Sequence, residues 1–168
     1  CSSRGLGDVY KRQAMQAVIK NSSTLAQAAK SLQVPVVVTE QYPQALGETM
    51  PEISQHLATV KPVAKTAFSA CAEPKFKAQL QRDKSQIILV GLETHICVLQ
   101  TALALIAHGK QVFVVEDAVI SRNPENKRNA LARLASAGCV VTNTESVLFE
   151  WLGNAKHEAF KAVSTLIK

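Results

Sequence analysis

Residues 86–122 read QIILVGLETHICVLQTALALIAHGKQVFVVEDAVISR. The run Ile87-Ile88-Leu89-Val90 is apolar throughout and closes on Gly91, the pattern of a strand buried on both faces. Gly91 to Ile96 reads as a short turn. From Val98 to His108 the apolar residues follow helical spacing, and Gly109 supplies the residue just past the helix end. A second apolar run, Val112 to Val115, stops at the acidic pair Glu116-Asp117. Strand, turn, helix and strand in this order predict two parallel strands joined by a right-handed crossover. Ligands of open parallel sheets bind beyond the carboxyl ends of the strands. Cys97 falls there, at a helix start, where backbone N–H groups and the helix dipole favour an anion, whether thiolate or oxyanion. A cysteine so placed is either a small apolar core filler or a nucleophile, and position alone does not choose.

Working outward, Ala14 to Leu32 has helical spacing at Val18, Leu25, Ala28, Ala29 and Leu32. Val34 to Val38 is predicted as the next strand, with Pro35 near its entry, where a missing N–H is tolerated. Thr39 to Pro43 then lies past its carboxyl end. That places Glu40, Gln41 and Tyr42 on the rim occupied by Cys97, either lining a pocket or as a loop over the sheet. A loop from Gly47 leads into a short helix over Pro51–Leu57. Val60 to Val63 is a candidate edge strand that tolerates Pro62. Pro74 to Arg82 is an amphipathic helix with Phe76 and Leu80 inward. Beyond the central unit, Asn123-Pro124 is a helix start, with Asn as N-cap and Pro at the first helical position. That helix carries Ala130, Leu131, Leu134 and Ala135 on one face and stops at Gly138. Cys139 to Thr142 is the last strand. Thr144 is a candidate cap for a helix burying Val147, Leu148 and Trp151. A tail helix, His157 to Ile167, places Phe160, Val163 and Leu166 at helical spacing. Strands alternating with helices predict an α/β fold on a parallel sheet. No repeat, low-complexity tract or linker interrupts residues 14–168, which read as one domain.

The chain has 168 residues, enough for one domain with a core, and 47% of them are hydrophobic. No apolar run approaches the ~18 residues of a membrane span, and no signal peptide is recognisable. The net charge is +6, from 19 basic and 13 acidic residues. The lysines are scattered over predicted helices rather than gathered in a stripe, and aromatic residues are only 5%. Both features argue against a nucleic-acid partner. Cys1, Cys71, Cys97 and Cys139 form no CxxC pair, which argues against disulfides and zinc knuckles and fits a reducing cytoplasm. Cys71 and Cys139 read as buried apolar residues.

Residues 1–13, CSSRGLGDVYKRQ, do not share this pattern. They resemble translated sequencing adapter, and they read as foreign to the fold and disordered.

The segment GLETHICVLQTALALIAHGKQVFVVEDAVISR resembles the core signature of the isochorismatase-like cysteine hydrolases. TEQYPQALGETMPE (39–52), KTAFSA (65–70) and the end, VTNTESVLFEWLGNAKHEAFKAVSTLIK, resemble its metal-independent branch. The resemblance covers residues 14–168. It implies a three-layer α/β/α, doubly wound parallel sheet with strand order 3-2-1-4-5-6. It implies Cys97 as the nucleophile toward an amide-type carbonyl and Lys65 as the cation that holds its thiolate. Backbone N–H groups of Glu93 and Cys97 would hold the oxyanion, and Leu92–Glu93 would be a cis peptide bond. Glu40, Gln41, Tyr42, Phe68, Thr94 and His95 would line the substrate pocket. The family's first strand, central in the sheet, ends in a catalytic Asp. This chain has no such strand, and Asp8 is not a credible substitute, so the chain reads as truncated. The gap would either destabilise the fold or close by direct pairing of Val34–Val38 with Ile87–Val90. The metal-dependent relatives bind zinc through an Asp and two His. The corresponding TEQYPQ has no histidine, and His56, His95, His108 and His157 form no ligand cluster, so no metal or other cofactor is expected. The resemblance also implies a small-molecule substrate and a homo-oligomer. A non-catalytic scaffold that keeps the fold is the alternative. A nucleotide-binding domain would need a glycine-rich phosphate loop, and GLETH holds one glycine.

Overall fold

The computed structural model describes residues 11–168. Helix α1, Arg12–Leu32, buries Met15, Val18, Leu25, Ala28 and Ala29 along one stripe. It ends where Gln33 turns left-handed (φ 57°) and Val34 N donates back to Ala29 O at 2.8 Å. The boundary drawn after residue 13 is therefore corrected: Arg12 and Gln13 form the first turn of α1. Residues 1–10 of that peptide, Asp8 included, lie outside the described residues.

Two short parallel strands follow, β1 at Thr39–Gln41 and β2 at Val63–Lys65, paired Thr39 to Val63 and Gln41 to Lys65. Both fall later than the apolar runs predicted, because a strand needs a ladder partner as well as apolarity. Val34–Val38 has none among the described residues, apart from Val38 O accepting from Val63 N at 2.8 Å. Val60 N is spent on a turn bond to Leu57 O, and Pro62 has no N–H to give. Between these strands lie two single turns of helix, α2 at Pro43–Leu46 and α3 at Pro51–Ser54, the second shorter than predicted. A 3₁₀ turn, Ala70–Ala72, leads into α4, Pro74–Gln79, which buries Phe76.

The central unit follows in the order read from the sequence: β3 at Gln86–Leu92, a wide π-type turn at Thr94–Val98, α5 at Leu99–Ala107 and β4 at Gln111–Ile120. Helix α6, Pro124–Ser136, starts as predicted, with Asn123 Oδ1 accepting from Glu125 N at 2.9 Å. Then come β5 at Val140–Thr142, α7 at Thr144–Leu152 and α8 at Phe160–Thr165. The cap of α7 is Asn143, whose Oδ1 accepts from Ser146 N at 2.9 Å, and not Thr144. Thr144 instead donates both its N–H (2.9 Å) and its hydroxyl (2.8 Å) to Asp117 Oδ1. That carboxylate faces the positive end of the α7 dipole.

All strand pairs are parallel, in one sheet β1-β2 and another β3-β4-β5. Among the described residues no strand joins the two, and the direct pairing of Val34–Val38 with β3 is not formed. One expectation is corrected here. Strand β3 is half-buried rather than buried on both faces, with Val90 40% exposed, and among the described residues it has a single strand neighbour. Strand β4 is the buried one. Leu89 pairs with Val114 but Gly91 with Val119, so Val115–Ala118 bulges. The bulge leaves Val112, Val114 and Val119 on one face, against Val98, Leu99 and Leu105 of the central helix and Leu134 of α6. Val115 and Ala118 face the other layer, packed on Leu25, Ala28, Val147 and Leu148. Helices thus cover both faces of the sheet, giving the three layers of a doubly wound domain.

Leu148 is fully buried in the second layer. Leu148→Ala is expected to lower unfolding free energy by about 2–5 kcal/mol through lost burial and a residual cavity. Urea denaturation measures it, and a loss below about 1 kcal/mol would mean that this layer collapses around the gap.

Candidate active site

Strand β3 ends at Leu92, and the Leu92–Glu93 peptide is cis, at the position read from the sequence. Beyond it the chain makes a wide turn in which Glu93 O accepts N–H bonds from both Ile96 and Val98, each 3.2 Å. Cys97 sits in this turn and is partly exposed, whereas Cys71 and Cys139 are buried. Turns of this width recur at functional sites.

Lys65 closes β2 and is 6% exposed. Its Nζ donates to Gln41 Oε1 (2.5 Å), Ala67 O (3.0 Å) and Phe68 O (2.9 Å). Burial pushes the Lys65 pKa below its ordinary 10.5, while the charge of Cys97 and a side-chain hydrogen bond with it push the other way. Three acceptors call for three N–H groups, which only the ammonium has. The structure therefore brings the two expected catalytic side chains together across the two sheets. Among the described residues, no carboxylate forms an ion pair with Lys65.

The six expected pocket residues divide. Tyr42 and Phe68 stand at the rim, 52% and 53% exposed. Tyr42 N donates to Lys65 O at 2.8 Å, which ties this rim to the lysine. Glu40 is taken up by the loop after β1, its Oε2 accepting from Thr49 N (2.5 Å) and Thr49 Oγ1 (2.7 Å). Gln41 spends both ends of its amide on protein, Oε1 on Lys65 and Nε2 on Thr66 O at 2.6 Å. Thr94 is completely buried, with its hydroxyl unpartnered. Its side chain belongs to the packing under the turn and not to an open pocket. His95 turns toward the end of β4: Nδ1 meets Ser121 Oγ at 2.9 Å and Glu93 Oε2 at 3.5 Å. Glu93 in turn binds Arg122, Oε1 to Nε and Oε2 to the backbone N, both at 3.2 Å. Ser121 and Arg122 were not singled out from the sequence. Their position just past the carboxyl end of β4 is the signal that could have found them. Among the described residues no three His, Cys, Asp or Glu side chains are grouped as metal ligands.

The two remaining described thiols are buried, whereas Cys97 is partly exposed. Burial pushes both Cys71 and Cys139 above the ordinary cysteine value. A thiol whose folded pKa is raised stabilises the fold below its unfolded pKa, and that contribution is lost as pH rises toward the folded value. The protein is therefore expected to lose stability above about pH 9, the ordinary thiol range. Cys71→Ala/Cys139→Ala should show a flatter decline between pH 8 and 10 in urea titrations. Equal slopes in both proteins would remove the buried thiols as the cause.

Residues 7–146 match the model of the isochorismatase domain. Isochorismatase domain-containing protein 2 of Xenopus laevis is 40% identical over 152 residues, covering 89% of this chain and 73% of that protein. The solved structure of the MAR1 ribonuclease from Caenorhabditis elegans superposes with a TM-score of 0.87 at 37% identity, covering 95% of this chain and 85% of that one. YcaC from Pseudomonas aeruginosa, solved with covalent acrylamide, superposes with a TM-score of 0.76 at 26% identity, covering 94% and 83%. No helix among the described residues is long and apolar enough to cross a membrane.

Proposed function

The chain belongs to the isochorismatase domain family, and on that premise we propose that it carries the machinery of a cysteine hydrolase of small amide-like substrates. The observation that carries this reading is the buried Lys65 ammonium in electrostatic contact with the partly exposed Cys97. A buried cation costs several kcal/mol of desolvation, and in this reading a thiolate at Cys97 would offset part of that cost. The covalent acrylamide of the Pseudomonas aeruginosa neighbour supports it, since acrylamide is an electrophile that captures nucleophiles.

In this reading the Cys97 thiolate bonds to the substrate carbonyl carbon. Backbone N–H groups of Glu93 and Cys97 hold the oxyanion. The carbon–nitrogen bond breaks, and the leaving amine takes a proton from a general acid. Water then cleaves the thioester and frees Cys97. The acid is the part that the described residues do not place beside Lys65. A strand running between β1 and β3, parallel to both and ending in an Asp, would supply it and would pair the two edges that have no partner among the described residues.

The test is intact-protein mass spectrometry after incubation with a panel of small primary amides and thioesters. An acyl adduct mapped to Cys97, forming faster from the thioesters, whose leaving group needs no acid, than from the amides, is the expected result. No adduct on Cys97 from any member of the panel would favour the non-catalytic scaffold. An RNA arm belongs in the same assay, because the Caenorhabditis elegans neighbour is described as a ribonuclease.

A further inference from the structure

Gln41 was expected to read the substrate, yet both ends of its amide bond to the protein. Its Oε1 accepts from Lys65 Nζ at 2.5 Å and its Nε2 donates to Thr66 O at 2.6 Å. The other two acceptors of Lys65, Ala67 O and Phe68 O, are backbone carbonyls of the loop that follows β2. Gln41 is thus the only side chain among the three oxygens that saturate the ammonium. The backbone register places it there, since Gln41 and Lys65 are directly paired across β1 and β2.

We propose that Gln41 is a positioning residue: it orients the Lys65 ammonium toward Cys97 and, being neutral, leaves the whole positive charge for the thiolate. This rests on the reading of Cys97 as nucleophile. The chemistry follows from the donor count. With three protein oxygens and Cys97 sharing its three N–H groups, Lys65 is not placed to shuttle a proton. It acts as a fixed charge, and the value of a fixed charge depends on where it points and on what else neutralises it. A carboxylate at position 41 would accept the same hydrogen bond but would compete with the thiolate for the ammonium. An apolar side chain there would leave one N–H without an acceptor inside the protein, which costs free energy and loosens the ammonium. Glutamine satisfies the geometry without paying the charge.

The experiment is iodoacetamide labelling of the full chain from pH 6 to 9, with peptide mapping of Cys97. Gln41→Glu, Gln41→Met and Lys65→Met are compared with the natural sequence. Rates are taken from singly labelled molecules whose Cys71 and Cys139 remain unmodified, so that only folded protein is scored. Gln41→Glu is expected to slow Cys97 labelling at pH 7 about tenfold, approaching Lys65→Met, with the difference closing in alkali, where thiols ionise unaided. Gln41→Met is expected to slow it about threefold, because the charge remains but its aim is lost. A purely structural role would change both variants alike. Equal rates for Gln41→Glu and the natural sequence, with Lys65→Met slow, would overturn the role of Gln41 alone. No effect of Lys65→Met either would overturn the pairing of Lys65 with Cys97 beneath it.

Discussion

Replacing residues 1–10 with an apolar strand ending in Asp-x-Gln is expected to raise amide hydrolysis by about 10²–10⁴-fold, the usual contribution of a positioned general acid–base. Two features of the described structure motivate the number. Lys65 is a buried cation whose three oxygen partners are neutral, so a carboxylate beside it would meet a charge already in place. The extended Val34–Val38 and the half-buried β3 each leave backbone groups without a ladder partner among the described residues. A strand between them would satisfy those groups, each worth about 1–3 kcal/mol where buried. Stability and activity should therefore rise together, and the Asp→Asn version of the same strand should keep the stability gain while losing the activity gain. Thermal unfolding and a coupled ammonia assay read the two separately. If the strand stabilises the chain and no amide is turned over faster, the catalytic reading falls and the scaffold reading stands.

The central unit was legible because every local signal in it agrees. Ile87–Val90, Val112–Val115 and the helical run closed by Gly109 each have one reading, and the observed β3, α5 and β4 follow them closely. The same logic explains Asn123-Pro124. The first half was less legible because its strands are defined by partners instead of by apolarity. Val34–Val38 has the stronger β composition, yet the ladder forms at Thr39–Gln41, where β2 lies alongside. The exposure of Val90 goes with the sheet order among the described residues, which no local pattern encodes.

At the site, residue type told which side chains carry charge or a nucleophile but not which way they face. Cys97 and Lys65 were singled out because the motif resemblance names both, and the structure sets Lys65 within electrostatic reach of Cys97. Gln41 and Glu40 sit next to each other on one short strand and were read alike. The pleat sends them to different partners, Lys65 for one and Thr49 for the other. Thr94 was read as pocket-lining from its place beside the nucleophile, but the wide turn packs it inward. The network of Glu93, His95, Ser121 and Arg122 joins residues distant in sequence, which only the parallel pairing of β3 with β4 brings together.

Lys65→Met is expected to slow alkylation of Cys97 at pH 7 by about 10–100-fold, through loss of the neighbouring positive charge. Two opposite charges a few ångströms apart near a protein surface attract by about 4 kcal/mol, and partial exposure of Cys97 reduces that figure. Burial of Lys65 gives the effect two signatures that a surface lysine would lack. Salt should hardly weaken it, since counter-ions screen exposed pairs far more than buried ones. The advantage of the natural sequence over Lys65→Met should also vanish as pH rises, because the ammonium is lost on deprotonation. Burial lowers the Lys65 pKa, so that loss should come below 10.5. Cys71 and Cys139, whose thiols burial keeps protonated, serve as the internal reference and should remain the slow sites throughout. If Cys97 labels no faster than these two in the natural sequence, the contact with Lys65 does not activate it, and the nucleophile assignment fails.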